Sequence, residues 1–204
     1  MFGIEFYTDN GFVQISDKSP ALGFLRKAAP GENNQQQGYY NFAEVYGAGG
    51  TYFFAPVSEL SVYGRSGLEV YSESGALMFS SAMKLLSFVK PFYVDVPGNK
   101  NTPFVHTGGA ERRFGYMIIK SQSRHYYRNK QFISGANNPP YYDDEWVYDV
   151  YDEFFKPKYS NGKIEIVYSF EFAYRGGGES DPGAWSGPPP LMEGFIVDLT
   201  AIEG

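Results

Sequence analysis

One stretch of this chain occurs twice, and a duplication restricts the possible folds more than any composition does. Gly3-Ile4-Glu5-Phe6-Tyr7-Thr8-Asp9-Asn10-Gly11-Phe12-Val13-Gln14-Ile15-Ser16, followed by Leu22-Gly23-Phe24-Leu25-Arg26, lies over a second segment without a gap. That segment is Gly67-Leu68-Glu69-Val70-Tyr71-Ser72-Glu73-Ser74-Gly75-Ala76-Leu77-Met78-Phe79-Ser80, with Leu86-Ser87-Phe88-Val89-Lys90 after it. Gly3/Gly67, Glu5/Glu69, Tyr7/Tyr71, Gly11/Gly75, Ser16/Ser80, Leu22/Leu86 and Phe24/Phe88 are identical. Shared hairpin composition alone would not hold so long a register, so the match reads as an internal repeat.

Each copy alternates. Ile4 and Phe6 oppose Glu5 and Tyr7, and Leu68 and Val70 oppose Glu69 and Tyr71, the pattern of a strand with one face on a core. Asp9-Asn10-Gly11 and Glu73-Ser74-Gly75 supply hairpin turns, because Gly and Asn accept positive φ. A second strand (Val13, Ile15; Leu77, Phe79) and a third (Leu22, Phe24; Leu86, Phe88) follow. Each copy is therefore expected to be a three-stranded meander.

The rest of the chain continues in the same style. It carries 18 Tyr, 18 Phe and 2 Trp with 24 Gly and 13 Pro in 204 residues, the profile of many short strands joined by turns. The expected fold is an all-β antiparallel sandwich built around the two meanders. Residues 1–63 would form an N-terminal β unit, and 64–204 a main unit holding the second copy and the later strands. Gly31 to Gly38, rich in Gln and Asn, reads as an exposed loop. Asn161-Gly162 predicts a hairpin into a long strand from Ile164 to Tyr174, and Gly176 to Pro190 reads as a loop around Trp185.

Several function classes lose ground here. A net charge of −6 opposes nucleic acid as a partner. The densest basic segment, from Arg112-Arg113 to Arg128 and Lys130, is interleaved with Phe114, Tyr116, Tyr126 and Tyr127. It reads as a solvated strand face. Without cysteine there are no disulfides or thiolate ligands. Met1 leads straight into a strand, so no export signal is expected, and no apolar run reaches membrane-spanning length. His106 and His125 lack ligand spacing, no Gly-x-Ser-x-Gly frames a serine, and the glycine runs lack a phosphate loop's lysine. No catalytic residue, cofactor or metal is expected, and the chain reads as a non-enzyme. The carboxylates from Asp143 to Glu153, which alternate with Trp146, Tyr148 and Val150, are expected to line the wet side of a strand. A glycosidase using Asp144 and Glu153 ranks last.

What remains is surface aromatic content. Tyr142, Trp146 and Trp185 are candidates to stack on a glycan or anchor a partner. Glu5, Tyr7, Glu69 and Tyr71, on the outer face of both copies, are candidates for contacts between units. The pattern carried by Gly67-Leu68-Glu69-Val70-Tyr71 with Gly75, Phe79, Ser80 and Phe88 resembles the opening hairpin of small tail-associated proteins of tailed bacteriophages. The Tyr/Gly-rich later half and the closing Phe195-Ile196-Val197-Asp198-Leu199 are similar in texture. The resemblance implies a virion structural protein at the tail tip or baseplate, made in the bacterial cytoplasm. Its partners would be other tail proteins, in a multi-subunit assembly near host attachment. The alternative is a carbohydrate-binding β-sandwich module recognising cell-surface glycans.

Overall fold

The computed structural model describes residues 5–7, 13–16, 21–30, 32, 43–60, 67–96, 98–133, 145–178 and 180–204, and for 5–7, 13–16 and 145 the backbone alone. The Gln/Asn-rich loop expected from Gly31 to Gly38 lies outside the described residues, apart from Glu32. The chain is all-β and antiparallel, as the alternation predicted. Its strands are β1 (Glu5–Tyr7), β2 (Val13–Ser16), β3 (Leu22–Lys27), β4 (Ala43–Gly47), β5 (Gly50–Pro56), β6 (Glu69–Tyr71), β7 (Leu77–Ser80) and β8 (Ser87–Asp95). There follow β9 (Phe104–Thr107), β10 (Phe114–Gln122), β11 (Arg124–Ile133), β12 (Glu145–Ser160), β13 (Lys163–Gly178), β14 (Trp185–Ser186), β15 (Leu191–Asp198) and a short helix α1 (Thr200–Glu203).

The repeat is real in three dimensions. In β1–β2 the partners are Glu5↔Ser16, Phe6↔Ile15 and Tyr7↔Val13, with a register shift between Phe6 and Tyr7. In β6–β7 they are Glu69↔Ser80, Val70↔Phe79 and Tyr71↔Leu77, with the shift at the equivalent place. The topology is simpler than two meanders, however. Each hairpin stands as its own two-stranded sheet, and the third strands β3 and β8 leave to join a six-stranded sheet ordered β3-β5-β4-β10-β15-β8. The reason is pairing length. β8 finds eight partners along β15, whereas its own short hairpin offers only three residues of strand in β6 and four in β7.

β3 and β8 occupy opposite edges of that sheet, yet the sheet curls until they approach. Gly23 bridges Leu85, Phe24 N–H donates to the Lys84 carbonyl at 2.7 Å, and Leu86 N–H donates to the Leu22 carbonyl at 2.8 Å. Leu22 and Leu86 are repeat mates, so the two copies meet about a local pseudo-twofold at this seam. The inside of the curl is filled by Val45, Tyr52, Phe54, Leu86, Val197 and Leu199. Strands from both sides of residue 64 thus build one core. A smaller cluster of Ala21, Val57 and Phe79, with Val70 and Leu77 against it, seats the second hairpin.

The other face of the six-stranded sheet packs on a five-stranded sheet ordered β14-β11-β12-β13-β9. Phe92, Phe114, Tyr116, Met192 and Ile196 meet Phe155, Ile164 and Ile166 between the layers. Gly162, at φ +63, turns the β12–β13 hairpin where Asn-Gly predicted it. Burial, with the Glu44 charge second, pushes the stacked phenols Tyr46 and Tyr116 up to about 12, and burial raises Tyr159 too. An unfolded phenol titrates near 10.0. Between those values the unfolded chain therefore binds fewer protons than the folded one, and stability falls as pH rises. Calorimetric melting above about pH 10 should show Tm dropping with each pH step, with late phenolate absorbance appearing as the fold opens. A flat Tm through this window would contradict the burial of these rings.

Candidate functional site

β12 and β13 are 16 residues each, longer than the sandwich needs. β9 pairs β13 only from Lys163 to Ile166, so the far half of the hairpin runs on with β11 alone beside β12. This overhang is where apolar side chains stay wet. Phe132, Ile133, Phe172, Tyr174 and Trp185 are all between 42% and 58% exposed.

Alternation decides which of them share a face. Strand register aligns rows across β11, β12 and β13: Arg124, Glu153 and Phe170; then Tyr126, Tyr151 and Phe172; then Arg128, Asp149 and Arg175. β13 accommodates the last step by a register shift at Ala173. These residues continue the core-facing side of β12 beyond the core. Tyr151 and Phe170 stack with an interplanar angle of 6° at 5.0 Å, Tyr151 meets Phe172 edge-on at 5.6 Å, and Tyr126 lies 5.7 Å from Phe170.

Trp185 closes one side. Its ring sits 4.2 Å from Tyr126, and the Arg124 guanidinium lies 3.7 Å from the indole centroid. Arg124 is also ion-paired to Glu153, which is fully buried and accepts a second hydrogen bond from the Tyr168 hydroxyl. Burial, reinforced by that carboxylate, raises the Tyr168 phenol. The Trp185 segment is fastened to β11. Tyr127 N–H donates to the Ala184 carbonyl at 3.1 Å, and Lys130 pairs with Asp181 at 2.6 Å. The stretch expected as one loop from Gly176 to Pro190 is thus the end of β13, a pinned crossing and β14.

Asp149 is buried as well. Asn129, at φ +51 in the bulge of β11, donates to it at 2.6 Å, and Arg175 donates at 3.0 Å. Those two bonds hold its carboxyl below the usual range. The expectation that the carboxylates of this segment line a wet face is therefore corrected. Asp149 and Glu153 share the aromatic side of β12 and are spent on internal partners, whereas Asp152, 42% exposed, pairs with His125 at 2.8 Å on the other side. Asp144 lies outside the described residues.

Of the three expected aromatic anchors, Tyr142 also lies outside the described residues. Trp146 and Trp185 do not converge. Trp146 shares its side of β12 with Tyr148 and Val150 and packs on Phe132 at 5.4 Å, on the face opposite Trp185. Glu69 and Tyr71 are exposed, and the Tyr71 hydroxyl donates to Glu69 at 2.6 Å, so each is the other's first partner. The side chains of Glu5 and Tyr7 lie outside the described residues. His106 packs edge-on against Phe114 at 4.5 Å, and burial lowers its pKa. Among the described residues no group of three His, Asp or Glu gathers to hold a metal ion. Among the described residues no helix is long and apolar enough to cross a membrane.

Sequence reasoning missed Tyr126, Tyr151, Phe170 and Phe172 as one surface, although Arg124, Tyr126 and Arg128 fall at alternate positions of a single strand. No family model, no curated protein and no solved structure matches the chain.

Proposed function

We propose that the chain is a structural component of a bacteriophage tail, at the tip or baseplate, that acts by assembling with neighbouring virion subunits. The observation that carries this reading is the overhang. Its apolar residues stand on both faces, with Ile133, Phe172 and Trp185 on one and Phe132 and Tyr174 on the other. Among the described residues, β13 has no outer strand partner beyond Ile166, and β11 none beyond Tyr126. A sheet end with wet apolar faces and open edges is a template for another chain. The duplicated Gly-aliphatic-Glu-x-Tyr hairpin supplies the second support, through its resemblance to tail-associated phage proteins.

The test is location and assembly. Mass spectrometry should find the chain in purified phage particles, and the purified chain should co-assemble with isolated tail proteins. Replacing Phe172 and Tyr174 together by Lys should abolish co-assembly while leaving Tm within a few degrees, because both side chains are mostly solvated. A stable monomer absent from particles would sink the reading.

A further inference from the structure

We infer that the Trp185 face of the overhang binds a saccharide carrying one carboxylate, stacked on Tyr126, Tyr151, Phe170 and Phe172 and held at Arg128. The charges of this face decide the ligand. Arg124 is spent on Glu153, and Asp149 is spent on Asn129 and Arg175. Arg128 is different. Its guanidinium lies over the rings of Tyr126, Phe170 and Tyr151 at 5.3, 5.6 and 5.9 Å, and among the described residues it has no carboxylate partner and no side-chain hydrogen bond. A guanidinium held by cation–π contacts alone has N–H donors to spare, and these fit a carboxylate bidentately.

The rings supply the rest of the site. They hold one another and are backed by the buried Arg124–Glu153 pair, so little ordering is lost when a ligand lies on them. The polarised C–H face of a pyranose complements the negative face of an aromatic ring. Rows two residues apart stand ~7 Å from each other and strands ~4.8 Å, so the two rows that carry the rings, together with the Arg128 row beside them, span about 14 by 10 Å, a short oligosaccharide's footprint. Among the described residues the other arginines and carboxylates of the face are paired with one another, and Arg128 is the cation left without a carboxylate. That suits one anion among neutral sugars. A nucleic acid strand brings a phosphate with every base to a chain of net charge −6, which opposes it. The site shares the Trp185 face with the assembly reading but does not rest on it, and the isolated chain suffices to test it.

Calorimetric titration of the isolated chain tests it, with sialyllactose and a glucuronic acid-containing trisaccharide as acidic probes, and lactose and a thymidine dodecamer as controls. At least one acidic probe should bind saturably, with lactose about tenfold weaker or worse. Arg128→Gln should bring acidic binding down to the lactose level, and Phe172→Ser should weaken both, each with an unchanged melting curve. Four results would overturn the inference. They are equal affinity for acidic and neutral probes, wild-type affinity in Arg128→Gln, preference for the dodecamer, and no acidic binding at about 1 mM, the weak end of specific affinity.

Discussion

An Arg124→Met chain should be about 3–5 kcal/mol less stable than the wild type, read as a lower urea midpoint at unchanged slope. Met keeps much of the stem's volume while removing the guanidinium that Glu153 and Trp185 face. Glu153 is fully buried and has two partners, Arg124 and the Tyr168 hydroxyl. Taking the cation away strands a carboxylate in the sheet, and the cost of that unpaired charge exceeds what the pair itself contributes. The double variant Arg124→Met, Glu153→Leu is the control. It removes both charges and should recover most of the loss, because a buried pair exchanged for apolar groups is close to neutral. If the single variant cost less than about 1 kcal/mol, the carboxylate would have to reach water, contrary to its burial. Trp185 adds an independent signal. Its indole rests on the Arg124 guanidinium, so its fluorescence should shift toward the solvated value in the single variant well before global unfolding.

The same residues show where the sequence was informative. Alternation and turn chemistry are local, and what they predicted holds, namely the two hairpins, the Asn161-Gly162 turn and the long strand after it. Partner choice is not local. β3 pairs with β5 and β8 with β15, the latter about a hundred residues away, and no property of Leu22 or Leu86 names those partners. The identity of Leu22 and Leu86 was visible as a repeat match, but its meaning, two copies facing each other at a seam, is a fact of topology. Face assignment failed for a related reason. Trp146 lies on the opposite parity from Tyr151, which sequence numbers alone disclose, yet Trp185 reaches its face through a crossing whose direction no pattern encodes. Carboxylates between aromatics look like a wet edge. Only the register of β11 and β13 shows that Asp149 and Glu153 have arginines of their own.

Gly194→Ala should rank with the most damaging single-methyl additions at the described glycines, at or above the upper end of the ~1–3 kcal/mol that overpacking costs. Gly194 lies in the middle of β15, opposite Ile118 of β10, where β10 shifts register between Ile118 and Lys120. The bulge lays backbone over the glycine. A Cβ added there would stand 2.0 Å from the Met117 carbonyl oxygen and 3.0 Å from its carbon, contacts that no side-chain rotation relieves. The glycine is therefore a matter of space, since its φ is not among the positive ones. Relief requires β15 and β10 to part, and these are the strands that present Met192 and Ile196 to one core and Val197 to the other. Damage should then reach both layers at once, with loss of hydrogen-exchange protection along β10 and β15 before the β12–β13 hairpin loosens. Gly75→Ala serves as the comparison. It sits in the second repeat's turn at φ +82 with nothing within 4 Å of the new Cβ, so its penalty is conformational, on the order of 1–2 kcal/mol, and confined to one hairpin. Equal costs at the two sites would mean that the bulge between β10 and β15 can yield.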